Sequence, residues 1–306
     1  PMTWHPHLWH PTTQVATSPA PLRVQSARGS ELELEDGRRL IDAISSWWVT
    51  LHGHAEPAIA AAVARQAQQL EQVIFANFSH EPAEQLATRL SALTGLQRLF
   101  FSDNGSTAVE VALKIAWQWW RNQNSERRQL IAFEGAYHGD TVGTMALGDR
   151  SLFTAAYEPL LFDVARVGWP HSHWGDDSVE PREQQALGQL ELALETPTAA
   201  VIFEPLIQGA SGMRVVRPAF LRAVAARVQA AGALLIADEV FTGFGRTGAL
   251  FACQKAGIQP DLMALSKGLT GGFLPMGATM ASERLYQGFI SEKPSDTFFH
   301  GHSFTA

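Results

Sequence analysis

Two side chains stand where carbonyl chemistry needs them. Lys267 lies in ALSKGLTGG (residues 264–272), just past a short apolar run and inside a glycine-rich turn. An amine held near apolar walls and cationic neighbours loses its proton more readily, and can then capture an aldehyde as an imine or act as a base. Upstream, ADEVFTGFGRTG (237–248) carries Asp238 at the end of the apolar run ALLIAD. A carboxylate at the tip of a buried strand is costly unless paired. A cationic ring nitrogen is one partner; a helix cap or a structural salt bridge is the ordinary one.

Two loops add to this pair. SDNGST (102–107) follows the apolar RLFFS and opens a helical pattern. Gly105 lets the backbone approach a ligand closely, Ser106 offers hydroxyl and amide, and a helix N-terminus adds partial positive charge, so the segment reads as a phosphate cup. Its ordinary explanation is a plain helix cap, since Asn104 and Ser106 are good capping types. EGAYHGD (134–140) follows LIAF, and Tyr137 between glycines can lie flat on a cofactor ring. Taken singly, Tyr137 reads as a half-buried loop tyrosine and Lys267 as a surface lysine. Four such groups at one sheet edge point instead to pyridoxal 5′-phosphate, which requires a lysine anchor and a carboxylate for its ring nitrogen.

The elements that must position these groups alternate along the chain. Residues 1–30, rich in Pro, Thr, Ser and His, read as an irregular arm, and ELELEDGRRLIDA (31–43) as a hairpin around Asp36-Gly37. Helical spacing runs through 57–73 and 81–95. Strands are then expected at 98–102, 130–133, 199–204, 233–238 and 262–266, with helices at 106–120 and 218–232. Short apolar runs between amphipathic helices predict an α/β fold with a mostly parallel sheet covered on both faces. Ligands in such folds bind beyond the carboxyl ends of the strands. Residues 168–182 read as a long surface loop, and Trp117, Trp119 and Trp120 as packing residues.

Composition narrows the function classes. With 306 residues and a net charge of −7, the chain can bury a large core and has no basic run to suit nucleic acid or an anionic membrane. Cys253 is the only cysteine, which excludes an internal disulfide and a cysteine zinc cage. No secretion signal and no stretch of transmembrane length is evident, and a cytoplasmic location follows as the expectation. The chain stops abruptly at GHSFTA (301–306), which reads as a truncation. GFGRTG (243–248) matches a dinucleotide fingerprint only in letters: its glycines start five residues past Asp238, no helix pattern opens there, and no strand-end acid lies about twenty residues on. The histidine pairs His5/His7, His52/His54, His171/His173 and His300/His302 lack a third ligand at motif spacing, so no metal is expected.

ADEVFTGFGRTG followed by ALSKGLTGG resembles the signature of class III (subgroup II) aminotransferases, of pyridoxal-phosphate fold type I, and the likeness runs from about Trp9 to the last residue. The resemblance implies a three-layer α/β/α large domain, with residues 1–45 as arm and hairpin of a small domain, 46–306 as the cofactor-binding domain, and the C-terminal small domain missing. It implies that Lys267 anchors the cofactor and moves the substrate's proton, and that Asp238 holds the ring nitrogen. Gly105 and Ser106 would bind the phosphate, Tyr137 would stack near the ring and line the substrate site, and Trp47 would contact substrate. His302 and Ser303 match the segment that reaches the phosphate of a partner subunit's cofactor, with Gly301 beside the substrate. A homodimer with shared active sites follows. Family members usually carry threonine at Ser303, and serine keeps the hydroxyl.

Within the family, WHP (9–11), DGRRLIDAISSWW (36–48), YHGDT (137–141), EPLIQGASGMR (204–214) and HGHSF (300–304) resemble the branch that passes an amino group from S-adenosylmethionine to 8-amino-7-oxononanoate in biotin synthesis. Two departures bear on this. WHP is normally followed by a tyrosine that touches donor and acceptor, and Thr12 stands there; the arginine that holds the acceptor's carboxylate belongs to the domain this chain lacks. The other readings are an ω-aminotransferase for ornithine, 4-aminobutyrate or a diamine, a lysine-using variant, an aminomutase of the same fold, and an inactive remnant.

Overall fold

The computed structural model describes residues 4–305. Their contacts divide the chain into two units, one ending at Gln69 and one starting at Leu70.

In the first unit, β1 (Val24–Arg28), β2 (Glu31–Leu34) and β3 (Arg39–Ile41) form an antiparallel sheet in that order. The Asp36-Gly37 turn behaves as the sequence suggests, with Gly37 at φ +84°. The expectation of an irregular arm up to residue 30 needs correction, because β1 lies inside it. VQSAR is exposed along nearly its whole length; with no buried face, it carries no apolar alternation to betray a strand. The segment α1 (Ser45–Trp48) is one left-handed turn, with φ of 49°, 47°, 66° and 68°. Four non-glycine residues there are unfavourable by about 1–2 kcal/mol each. Asp42 helps hold the turn: it accepts a hydrogen bond from Ser46 Oγ at 2.8 Å and lies 2.8 Å from His54 Nε2. Helix α2 (Pro57–Gln69) completes this unit.

The second unit carries α3 (Glu81–Thr94), β4 (Arg98–Ser102), α4 (Gly105–Asn122), β5 (Gln129–Phe133), α5 (Val142–Leu147), β6 (Ala165–Val167), α6 (Val179–Leu194) and β7 (Thr198–Phe203). There follow a small hairpin of β8 (Ile207–Gln208) and β9 (Arg214–Val215), then α7 (Pro218–Ala230), β10 (Leu234–Asp238), α8 (Ala252–Ala256), β11 (Leu262–Leu265), β12 (Gly277–Ala281) and α9 (Glu283–Gln287). Seven strands form one sheet in the order β4-β12-β11-β10-β7-β5-β6. Only β12 runs antiparallel to its neighbours.

Both faces of this sheet are apolar, which is why its central strands read as unbroken hydrophobic runs. Ile131, Phe133, Val201, Phe203, Leu235, Ala237, Met263 and Leu265 project into one core with residues of α6 and α7. Leu130, Ala132, Ile202, Leu234, Ile236, Leu262 and Ala264 project into the other, against α4. Each fully buried Val, Leu, Ile, Phe or Met among them contributes roughly 1.5–3 kcal/mol. Trp119 and Trp120 pack into that second core, and Trp120 Nε1 donates to Ala199 O at 2.8 Å. Trp117 does not share their burial and is exposed, beneath the Arg128 guanidinium. The expected strand at 98–102 is only partly buried, because it is an edge strand. The loop expected to reach residue 182 ends at Ser178, where α6 begins.

Candidate active site

The parallel strands β4, β5, β7, β10 and β11 deliver their carboxyl ends to one edge of the sheet, and the candidate groups sit there. Asp238 is the last residue of β10 and is 3% exposed. Its Oδ1 accepts the Val240 N–H at 3.0 Å, and its Oδ2 lies 2.7 Å from His138 Nδ1. His138 is buried too, and its Nε2 has no hydrogen-bond partner among the described residues.

Lys267 begins a 3-10 turn just past β11. Its φ of 39° is in the left-handed region, a conformation costing a non-glycine residue about 1–3 kcal/mol and concentrated at functional positions. Ser266 beside it is anchored by its hydroxyl to Met276 O at 2.6 Å. Burial lowers the pKa of the Lys267 amine, the charges of Asp238 and Glu204 oppose that shift, and Arg246 adds to it. The net effect is a lowered pKa, the direction a nucleophile or base requires.

The segment expected as a phosphate cup does open a capped helix. Asn104 caps α4, its side chain accepting from Thr107 N while Thr107 Oγ1 accepts from Asn104 N, both at 3.0 Å. That leaves Gly105 and Ser106 in the first turn of an 18-residue helix, where unpaired N–H groups gather. Ser106 Oγ lies 2.7 Å from Thr141 Oγ1 and 2.9 Å from Thr144 Oγ1, and Thr141 donates to Glu110 at 2.6 Å. Two close approaches demand glycine. A Cβ on Gly105 would sit 2.6 Å from Val240 Cγ1, and one on Gly139, at φ +129°, would sit 2.3 Å from Ser106 Oγ. Val240 therefore ties the cup to the Asp238 loop, and Gly139 ties it to the Tyr137 loop.

Tyr137 is 43% exposed, and burial followed by the neighbouring Asp140 pushes its hydroxyl above the usual range. Its backbone N–H donates to Glu204 at 3.2 Å. Glu204, one residue past β7, is 4% exposed; it also accepts the Gly209 N–H at 3.1 Å, and burial pushes its carboxyl up to about 7.

The structure thus brings Lys267, Asp238, Tyr137, Gly105 and Ser106 to one sheet edge. His302 lies 3.1 Å from Asp103 Oδ2 and 2.8 Å from His300 Nε2. The Ser303 carbonyl accepts from Gln72 Nε2 at 2.9 Å, and Gly301 is exposed. Trp47 belongs to the first unit, in the left-handed turn, and is 56% exposed. His138 and Glu204 were not singled out from sequence. Glu204 carried the same signal as Asp238, an acid closing an apolar run; His138 had none, since its partner lies 100 residues away. Glu239 beside Asp238 is fully buried and accepts from Ala252 N at 3.1 Å and Cys253 N at 2.7 Å, pinning the GFGRTG loop to α8. Among the described residues, no group of three or more His, Cys, Asp or Glu side chains is gathered as a metal site would need.

Comparison with known proteins agrees with this geometry. The family model for class-III aminotransferases matches residues 12–306. The adenosylmethionine-8-amino-7-oxononanoate aminotransferase of Synechococcus elongatus is 61% identical over 100% of this chain, which spans 73% of that relative. The crystal structure of the enzyme of the same name from Methanocaldococcus jannaschii matches 98% of this chain with a TM-score of 0.90 and 32% identity, over 69% of its own length. An amine transaminase from an uncultivated Pseudomonas species, solved in its PLP-bound form, matches 98% of this chain and 71% of its own with a TM-score of 0.92 and 29% identity. A lysine desolvated beside a buried carboxylate, a glycine-serine cup at a helix start, and a match along nearly the whole chain lead to one assignment: the chain belongs to the class-III aminotransferases.

Proposed function

We propose that this chain transfers an amino group from S-adenosylmethionine to 8-amino-7-oxononanoate, giving 7,8-diaminononanoate for biotin synthesis, with pyridoxal 5′-phosphate as cofactor. The observation that carries this reading is the desolvated Lys267 beside the buried Asp238–His138 pair, in a chain 61% identical throughout to an aminotransferase named for both compounds.

The residues present fit the cofactor. Gly105 and Gly139 leave no room for a Cβ beside Ser106 and Val240, as a backbone cradle closing on a phosphate requires. The acidic side chain at the β10 tip suits a protonated ring nitrogen. Bound pyridoxal 5′-phosphate supplies an aldehyde that captures amines and a ring that accepts electrons from the bond being broken. Lys267 Nζ would anchor it, and as a free amine the same nitrogen would take the proton from substrate Cα. Asp238 would stabilise a protonated ring nitrogen by its charge, and His138 Nδ1 fixes the carboxylate that would do so. The first turn of α4 and Ser106 Oγ would hold the phosphate, and Tyr137 would stack near the ring. The two substrates take turns at one site, so ping-pong kinetics are expected.

Further parts of this reading concern assembly. The protein works as a homodimer in the cytoplasm, with residues 1–45 belonging to a small domain and 46–306 to the large one. Gly301, His302 and Ser303 serve the partner's site, and Trp47 contacts substrate. The exposure of Phe299 and Phe304, at 73% and 82%, supports a role for that segment outside its own unit.

One observation favours a second donor. Thr12 stands where an aromatic residue is expected to touch the donor, its hydroxyl donating to Pro11 O at 2.8 Å; with that stacking contact missing, a lysine-using variant is the alternative. Incubating the protein with 8-amino-7-oxononanoate and each donor, with the diamine detected by mass spectrometry, separates the cases. Product with S-adenosylmethionine is expected. Product with lysine alone would transfer the assignment to that donor, and amination of other oxo acids only, from ornithine or 4-aminobutyrate, would overturn it.

A further inference from the structure

Two neighbouring parallel strands each end in a buried acid. Phe203 of β7 is paired with Ala237 of β10, so the next residues, Glu204 and Asp238, stand side by side. They are 4% and 3% exposed. Asp238 has an evident task in the reading above. Glu204 is bound through its oxygens to two backbone N–H groups, of Tyr137 and Gly209. Each N–H takes a different oxygen, which suits a carboxylate: a glutamine could accept only one of them and would set its NH2 against the other, and burying a carboxylate is costly unless its charge is used.

The groups facing Glu204 show where that charge acts. His138 and Tyr137 come from the loop after β5, Asp238 from β10 and Lys267 from the turn after β11; Arg246 also bears on Lys267. Resting on the functional reading above, we propose that Glu204 is a positioning residue of the active site, whose oxygens brace the Tyr137–His138 loop and whose negative charge favours the proton on the Lys267 nitrogen. Burial pushes the Glu204 carboxyl up to about 7, so its charge acts mainly above neutral pH. In that range it counters the desolvation that strips Lys267 of its proton. One carboxylate alone would have to serve both the ring nitrogen and the lysine nitrogen; two neighbouring strand tips divide those tasks.

The test uses the purified holoenzyme and the pH titration of the bound cofactor's visible absorbance, which reports protonation of the Lys267 nitrogen. In Glu204→Gln the midpoint is expected to fall by about one unit, the scale of losing one partly screened charge from a neighbouring strand tip at an effective dielectric near 20. Glu204→Asp, which keeps the charge on a shorter arm, is expected to titrate near wild type while releasing cofactor faster. An unchanged midpoint in the glutamine variant overturns the proposal. Should that variant fail to fold, the aspartate variant decides: a wild-type midpoint supports the proposal and a lowered one overturns it. Absence of a cofactor band from the wild-type protein would instead sink the functional reading itself.

Discussion

Replacing His138 with leucine tests whether the bond to Asp238 organises the site. The side chains of His138 and Asp238 are 0% and 5% exposed, and their atoms meet at 2.7 Å. Leucine is apolar and of similar bulk, so it removes the polar partner with little cavity. Taking away one member of a buried pair that involves a carboxylate costs about 3–5 kcal/mol. Asp238 keeps its bond from Val240 N at 3.0 Å, so the lower end applies, about 3 kcal/mol. For a unit of this size that lowers Tm by roughly 6–12 °C. The assay is calorimetric or circular-dichroism melting of cofactor-free wild type and His138→Leu. Saturating pyridoxal 5′-phosphate should narrow the gap, because the ring nitrogen then offers Asp238 a partner. A cofactor-free variant that melts within about 2 °C of wild type would refute the argument that this pair is a costly one to break.

Gly139→Ala should weaken cofactor retention and cost about 2–4 kcal/mol, since its Cβ would fall 2.3 Å from Ser106 Oγ at φ +129°; equilibrium dialysis and urea unfolding measure the two effects. Asn104→Ala should cost about 1 kcal/mol by removing the α4 cap, with a weaker loss of cofactor affinity than Gly139→Ala. Glu204 makes stability depend on pH. Its folded pKa of about 7 exceeds the ordinary value of 4.5 for a glutamate, so the folded state holds a proton that the unfolded chain releases, and this group makes stability fall as pH rises through that window. The contribution is on the order of 3 kcal/mol; urea unfolding of cofactor-free protein across the window should show a flatter profile in Glu204→Gln than in wild type.

The sequence disclosed the groups whose surroundings are local. Asp238 and Lys267 each follow a run buried on both faces, and such runs are unmistakable in a parallel sheet. Gly105 and Ser106 could be placed because Asn104 and Thr107 write a helix start in adjacent letters. What escaped depends on distant chain or on small residues. His138 meets Asp238 only after the sheet is assembled. GATMA (277–281) forms β12, fully buried between β11 and β4, yet its small residues carry no strand pattern. Helix α6 is not anticipated and its first residues read as loop, because Ser178 makes no side-chain cap and the helix begins without its usual signal. Glu204 was legible by the rule that found Asp238, since both close an apolar run with an acid.

The central claim is that the Lys267 nitrogen binds the cofactor covalently. Borohydride reduction of the purified holoenzyme, followed by peptide mass spectrometry, tests it most directly. The account predicts the mass of reduced pyridoxal phosphate on the peptide carrying Lys267, and its loss when S-adenosylmethionine is added before reduction. Label on another lysine, or a Lys267→Ala protein that still fixes the cofactor, would contradict it.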